Sequence, residues 1–187
     1  MNFLKQKLKI IRYFFEAIIV QLGLWIFYMM RPQLASDVAA AIAKFVGTKI
    51  SVHKLAYENI GKAMPELSAQ EKEKILDDMW DNLGRIIGEY PHVTKCQIEK
   101  IHQFVEISSA TQNRLEELKQ SGKGGIIFSA HIGNWEIGPK VFLRNGLKVS
   151  TVYRPLNNPY VEKMTAAIRG VNMIEKSAGG NRKIIEA

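Results

Sequence analysis

Apolar and polar positions divide the chain into stretches of different period. Residues 1–12 alternate lysines with apolar residues. Tyr13, Phe14, Phe15 and Glu16 then lead into fourteen uncharged residues, Ala17 to Met30. A run of this length predicts one helix, which Pro32 helps to end. It falls short of the ~20 apolar residues needed to span a bilayer. Extending it backwards would bury Glu16 at a cost of a few kcal/mol. The preferred reading is a helix lying in or dipping into the membrane interface. Its lysines would meet anionic lipid, with Tyr13, Trp25 and Tyr28 at the head-group level. A cleaved signal peptide (Ala39-Ala40-Ala41 resembling a cleavage site) and a soluble core helix are the alternatives.

Downstream, the period becomes helical. Ser36 is a candidate cap for a helix running from Ala39 to Val46, with Gly47 as its stop. A second helix is expected from Val52 to Met64, followed by a turn at Pro65–Ser68. Ser68 with Glu71 has the form of a capping box. The helix it opens should run from Ala69 to Tyr90 and stop at Pro91, burying Ile75, Met79, Leu83, Ile86 and Ile87. Ile101–Ile107 alternates like a strand, and Thr111–Gln120 reads as a helix. Gly125–Ala130 is a short apolar run of buried-strand type, the stretch after Glu136 reads as a helix toward Leu143, and Leu147–Tyr153 reads as the next strand. The fold class expected is α/β, a mixed sheet flanked by helices, with the amino-terminal helix appended.

Charge sharpens this picture. The net charge of +8 divides into +4 over residues 1–31, −2 over 32–139 and +6 over 140–187. The basic ends favour anionic partners such as lipid head groups. No base-reading motif is visible, so nucleic acid is not an expected partner. The single cysteine, Cys96, allows no internal disulfide, and no His-Glu-x-x-His or paired-cysteine pattern suggests a metal. His53, His92 and His102 lack partners at useful spacing and read as surface or loop residues.

The chemistry concentrates where the Gly125–Ala130 run ends. His131 follows it at once, then Ile132, Gly133, Asn134, Trp135 and Glu136. On a regular helix, residues five apart lie about 140° apart and do not face each other. Across a strand-to-helix turn, with Gly133 permitting a sharp bend, His131 and Glu136 can converge. Glu136 would then fix the imidazole tautomer, leaving the other ring nitrogen to take a proton from a substrate hydroxyl. Ser129 is a conceivable nucleophile but lacks the Gly-x-Ser-x-Gly setting. Arg154, in the loop Arg154-Pro155-Leu156-Asn157-Asn158-Pro159, offers a planar fork for a phosphate or carboxylate. If the 137–146 helix joins parallel strands, that loop falls beside His131. The alternative is an arginine that merely pins the loop.

Taken together, these residues resemble the lipid A biosynthesis (lauroyl/myristoyl) late acyltransferase family. The resemblance rests on His131-Ile132-Gly133-Asn134-Trp135-Glu136 after a Gly-Gly-apolar stretch, on Val152-Tyr153-Arg154-Pro155 and on Asn157-Asn158-Pro159. Glu58-Asn59-Ile60, Met64-Pro65-Glu66 and Trp80-Asp81-Asn82-Leu83-Gly84-Arg85 are also similar. It implies a glycerolipid-acyltransferase-like fold, with residues 1–31 as a membrane-anchoring helix and 32–187 as an acyltransferase domain incomplete at its carboxyl end. It implies transfer of a fatty acyl chain from acyl carrier protein to a hydroxyl of a lipid A precursor at the cytoplasmic face of the bacterial inner membrane. No cofactor or metal is implied. The dyad falls on His131 and Glu136, and the expected substrate-binding set is Arg154, Asn134 and Asn157. A different glycolipid acceptor, or a catalytically inactive membrane-bound fragment, is the alternative.

Overall fold

The computed structural model describes residues 3–95 and 105–176. Seven helices and two strands follow in the order α1 (Phe3–Met29), α2 (Pro32–Gly47), α3 (Ser51–Ala63), α4 (Ala69–Lys95), α5 (Ser109–Ser121), α6 (Gly138–Arg144), β1 (Ser150–Tyr153), α7 (Pro159–Arg169) and β2 (Asn172–Glu175). They form two compact units. One comprises Leu24–His92 with His131–Asn134; the other holds the remaining described residues.

The expected amino-terminal helix is a single element of 27 residues. Its stretch Lys5–Met29 is long and apolar enough to cross a membrane, and none of its apolar window is buried. Ile19 is 69% exposed and Met29 67%. Among the described residues, then, α1 is not a buried core helix. Pro32 has a second role beyond ending α1. It occupies the first turn of α2 behind an extended Arg31, where its fixed φ favours initiation. Helix α2 therefore begins before Ser36, and Ser36 is a buried residue inside it rather than its cap.

The unit containing α2, α3 and most of α4 is built on a close helix contact. The buried stripe of α4 is Leu76, Trp80, Gly84 and Gly88, spaced four apart. The stripe expected from large apolar residues is largely displaced: Ile86 is buried, but Ile75 and Ile87 are 37% and 45% exposed. The cause is the facing surface. Helix α2 presents Ala35, Ala39 and Ala40, all buried. A Cβ on Gly88 would lie 2.3 Å from the Ala35 carbonyl oxygen, and one on Gly84 2.5 Å from that of Ala39. Trp80 covers Gly47 in the same way. At the surface Arg85 bridges Asp81 and Asp37, both at 2.6 Å, and Lys44 meets Asp77 at 2.7 Å. Exposed pairs of this kind add little to stability singly, so the small-residue seam carries the packing.

The capping box forms as expected: Glu71 Oε2 accepts from the Ser68 backbone N–H at 2.8 Å, and Ser68 Oγ accepts from the Glu71 N–H at 3.3 Å. Pro91 does not end α4, which continues to Lys95. Its missing donor and ring clash cost about 3 kcal/mol in a helix interior. Burial of Tyr90, Pro91 and Val93 offsets that cost, and the buried Lys140 ammonium donates to the Val93 carbonyl at 2.7 Å.

The histidines set aside above also differ in placement. His53 lies in α3 and accepts from Trp80 Nε1 at 3.1 Å, with Nε2 3.5 Å from Glu73. His92 lies in α4, its Nε2 3.0 Å from the Phe27 carbonyl, which can only accept. Both are partnered residues on helices rather than loop histidines. Cys96 and His102 lie outside the described residues, as does most of the Ile101–Ile107 strand; its described part, 105–107, is irregular.

The second unit contains the sheet, which among the described residues is two parallel strands. Ser150 pairs with Asn172, Thr151 with Met173, Val152 with Ile174 and Tyr153 with Glu175. Helix α7 makes the crossover, started by Asn158-Pro159 and ended by Gly170 at φ 64°. Thus β1 appears close to where the pattern put it, while α7 and β2 were not anticipated. The larger mixed sheet is not seen among the described residues. Gly125–Ala130 pairs with no strand among the described residues, and Ile126 and Phe128 are 83% and 91% exposed. An apolar run becomes a buried strand only where a ladder and a covering layer receive it, and here neither does.

Candidate active site

His131 is exposed and lies on a bend after the Gly125–Ala130 stretch. Gly133 has φ +55°, the left-handed conformation expected to require glycine at this turn. Asn134 is the point of attachment: its Nδ2 donates to Glu89 Oε2 at 2.8 Å. The other Glu89 oxygen accepts from Ser36 Oγ, also at 2.8 Å. A loop residue, a residue of α4 and a residue of α2 are thus joined through one carboxylate. Neither Glu89 nor Ser36 was among the expected site residues. The only sequence signal for Glu89 was an acidic residue beside a helical glycine.

Glu136 lies in the turn before α6, in the other unit from His131. Its carboxylate is held by a fork: Arg169 Nε donates to Oε2 at 2.9 Å and Nη2 to Oε1 at 2.7 Å. The Glu136 side chain is only 13% exposed. Two hydrogen bonds leave a carboxylate half its acceptor capacity. Arg169, in the last turn of α7, was missed. In the sequence it is indistinguishable from an ordinary cation near a helix end.

Arg154 and Asn157 are exposed in the loop after β1, at the carboxyl end of the parallel pair. Open α/β sheets place ligands at that edge. The loop is braced on both sides. Glu162 Oε2 accepts from the Leu156 N–H at 2.7 Å. The Glu162 carboxylate, as a hydrogen-bond partner, also raises the Tyr153 phenol above its usual range, with burial adding to the effect. Asn158, not Asn157, is the buried asparagine. Its Oδ1 caps α7 by accepting from the Tyr160 and Val161 N–H groups, and its Nδ2 donates to the Tyr13 carbonyl at 2.8 Å and to Glu16 at 3.1 Å. The same amide thus starts α7 and ties it to α1. Beside it, Phe14, Ala17, Ile18, Leu22, Tyr160 and Met164 line an apolar groove of about 310 Å³.

The sequence profile for bacterial lipid A biosynthesis acyltransferases matches residues 1–187. The chain belongs to that family. A lipid A biosynthesis acyltransferase of Haemophilus influenzae is 22% identical over 153 residues, covering 75% of this chain and 46% of the relative. The chain therefore spans about half the length of the family member it matches. No solved structure matches it. Among the described residues, no three His, Cys, Asp or Glu side chains converge as metal ligands would.

Proposed function

We propose that the protein transfers a fatty acyl chain from acyl carrier protein to a hydroxyl of a lipid A precursor, at the cytoplasmic face of the bacterial inner membrane. The observation that carries this reading is the family match over residues 1–187. His131 is the general base. As the acceptor oxygen attacks the thioester carbonyl, its proton passes to the imidazole, and Glu136 offsets the charge on the ring. The C–S bond then breaks and the departing thiolate of the carrier recovers the proton. Base assistance of this kind contributes about 10²–10⁴-fold. Arg154, with Asn157, binds substrate anions and hydroxyls, while the Asn134 amide is committed to Glu89. Helix α1 beds in the membrane interface. The fourteen uncharged residues after Glu16 enter the apolar layer, while Lys5, Lys7, Lys9 and Arg12 stay with the head groups.

The test is an acyl-transfer assay on the purified protein, with acyl-loaded carrier and a lipid A precursor in mixed micelles and products resolved by chromatography. Transfer should fall at least a hundredfold in His131→Ala, with folding checked by circular dichroism. Near-normal transfer by the folded variant would remove His131 from the mechanism, and an acyl group accumulating on Ser129 would replace it with a covalent one. A second reading is a membrane-bound member of the family without transferase activity. It predicts no transfer with His131 and Glu136 intact. Acylation of another glycolipid but not of the precursor would change the acceptor and keep the chemistry.

A further inference from the structure

We propose that Glu89 is a positioning residue for His131, acting through Asn134. The inference rests on the reading of His131 as the base, but the geometry that supports it is independent of that reading. Three observations combine. First, Glu89 stands beside a close helix-to-helix contact of its unit. It adjoins Gly88, where α2 and α4 approach so closely that a single Cβ would collide with the Ala35 carbonyl. Second, its carboxylate is oriented by Ser36, which is 3% exposed and donates to Oε1 at 2.8 Å. Third, the remaining oxygen receives the Asn134 amide at 2.8 Å, three residues after His131 and directly after the left-handed Gly133.

The amide orientation follows from chemistry. A carboxylate only accepts, so Nδ2 of Asn134 must face Glu89. Its Oδ1 is then turned away, buried and without a hydrogen-bond partner among the described residues. A buried amide oxygen left unpaired is costly. The charge-assisted bond to Glu89 compensates for that arrangement and fixes the side chain in one orientation. Reactive groups on loops reach useful precision only when such a bond ties the loop to a rigid element. Here the element is the α2–α4 seam, and the tie is Glu89.

The bond can be inverted without changing its shape. In Asn134→Asp two carboxylates face each other, and the loop should release. Adding Glu89→Gln restores a donor–acceptor pair with the roles exchanged. The introduced amide oxygen still accepts from Ser36, and the introduced carboxylate still presents an acceptor where Oδ1 was. Glu89→Gln alone keeps a neutral hydrogen bond and should change little.

The experiment follows amide hydrogen exchange in residues 131–134 of the purified full chain, together with kcat and KM for acyl transfer. Asn134→Asp should speed exchange there by roughly ten- to a hundredfold, with exchange along α2 and α4 unchanged. It should lower kcat by a comparable factor with little change in KM. The double variant should recover both. Exchange indifferent to Asn134→Asp, or still fast in the double variant, overturns the proposal. So does a kcat that ignores the substitution while exchange responds. If the wild-type chain transfers no acyl group, the transferase reading fails by itself, and the exchange pattern alone decides whether Glu89 holds the loop.

Discussion

Arg169 grips Glu136 across 33 residues of sequence through two parallel hydrogen bonds, 2.9 and 2.7 Å long. The pair joins the turn before α6 to the end of α7. Breaking such a pair from one side leaves a charge with little water to receive it. Arg169→Ala should therefore lower the unfolding free energy by roughly 2–3 kcal/mol, read from denaturant unfolding in detergent. Arg169→Lys should recover less than half, because lysine keeps the charge and loses the fork. An alanine variant as stable as the wild type would show that the pair does not hold α6 and α7 together.

Two glycine substitutions should have opposite signs. Alanine is favoured over glycine in a helix by about 1 kcal/mol. At Gly61 the nearest atom to an added Cβ is Lys72 Nζ at 3.8 Å, so Gly61→Ala should stabilise by up to about that amount. At Gly88 the Cβ meets backbone at 2.3 Å. Forcing the helices apart costs about 1–3 kcal/mol, so Gly88→Ala should destabilise. Melting temperatures of the two variants decide it; a gain at Gly88 would mean that the α2–α4 seam yields easily.

Acid should loosen the start of α4. The Ser68 hydroxyl and backbone N–H hold Glu71 below its ordinary value of 4.5. A carboxylate depressed on folding contributes stability that is complete above its unfolded pKa and disappears as pH falls through the lower, folded value. The loss should therefore lie below pH 4.5. An NMR titration of Glu71 should give a midpoint below the ordinary one, and Ser68→Ala should move it upward. A midpoint unmoved by Ser68→Ala would contradict the capping role.

Lys5, Lys7 and Lys9 precede the uncharged part of α1. Near an anionic surface each contributes about 1 kcal/mol. Replacing all three with glutamine should weaken binding to phosphatidylglycerol vesicles by about two powers of ten at low salt, and leave binding to neutral vesicles unchanged. Co-sedimentation measures this. Equal loss on both vesicle types would remove the electrostatic part of the interface reading.

How much of this was legible in the sequence depended on the range of the forces involved. Local signals read well. The Ser68–Glu71 box and the Gly133 bend are decided within a few residues by backbone geometry, whereas Gly47 closes α2 without a left-handed turn, beneath Trp80. The Pro91 stop was misread because burial around Tyr90 and Val93 outweighs a local penalty. The α4 stripe was misread because glycines do not register as core, although a facing alanine surface makes them the contact. The Gly125–Ala130 strand depends on partners that its own composition cannot supply. At the candidate site, His131 and Glu136 stand out by spacing, whereas Glu89 and Arg169, which hold Asn134 and Glu136, are ordinary charged residues on helices until the chain is folded.

Asn158 gives α1 a mechanical role. One amide caps α7 and is fastened to the rung of α1 formed by Tyr13 and Glu16. The loop carrying Arg154 leads directly into that amide. Each residue along a helix advances 1.5 Å and turns 100°, so the depth and roll of α1 and the height of Arg154 are geared together. If α1 lies in lipid as proposed, a change in its depth or roll would carry the Arg154 loop with it. One inserted residue between Glu16 and the uncharged stretch would reset that gearing by one step, shifting the depth of the uncharged stretch relative to the Arg154 loop by about 1.5 Å and its roll by about 100°.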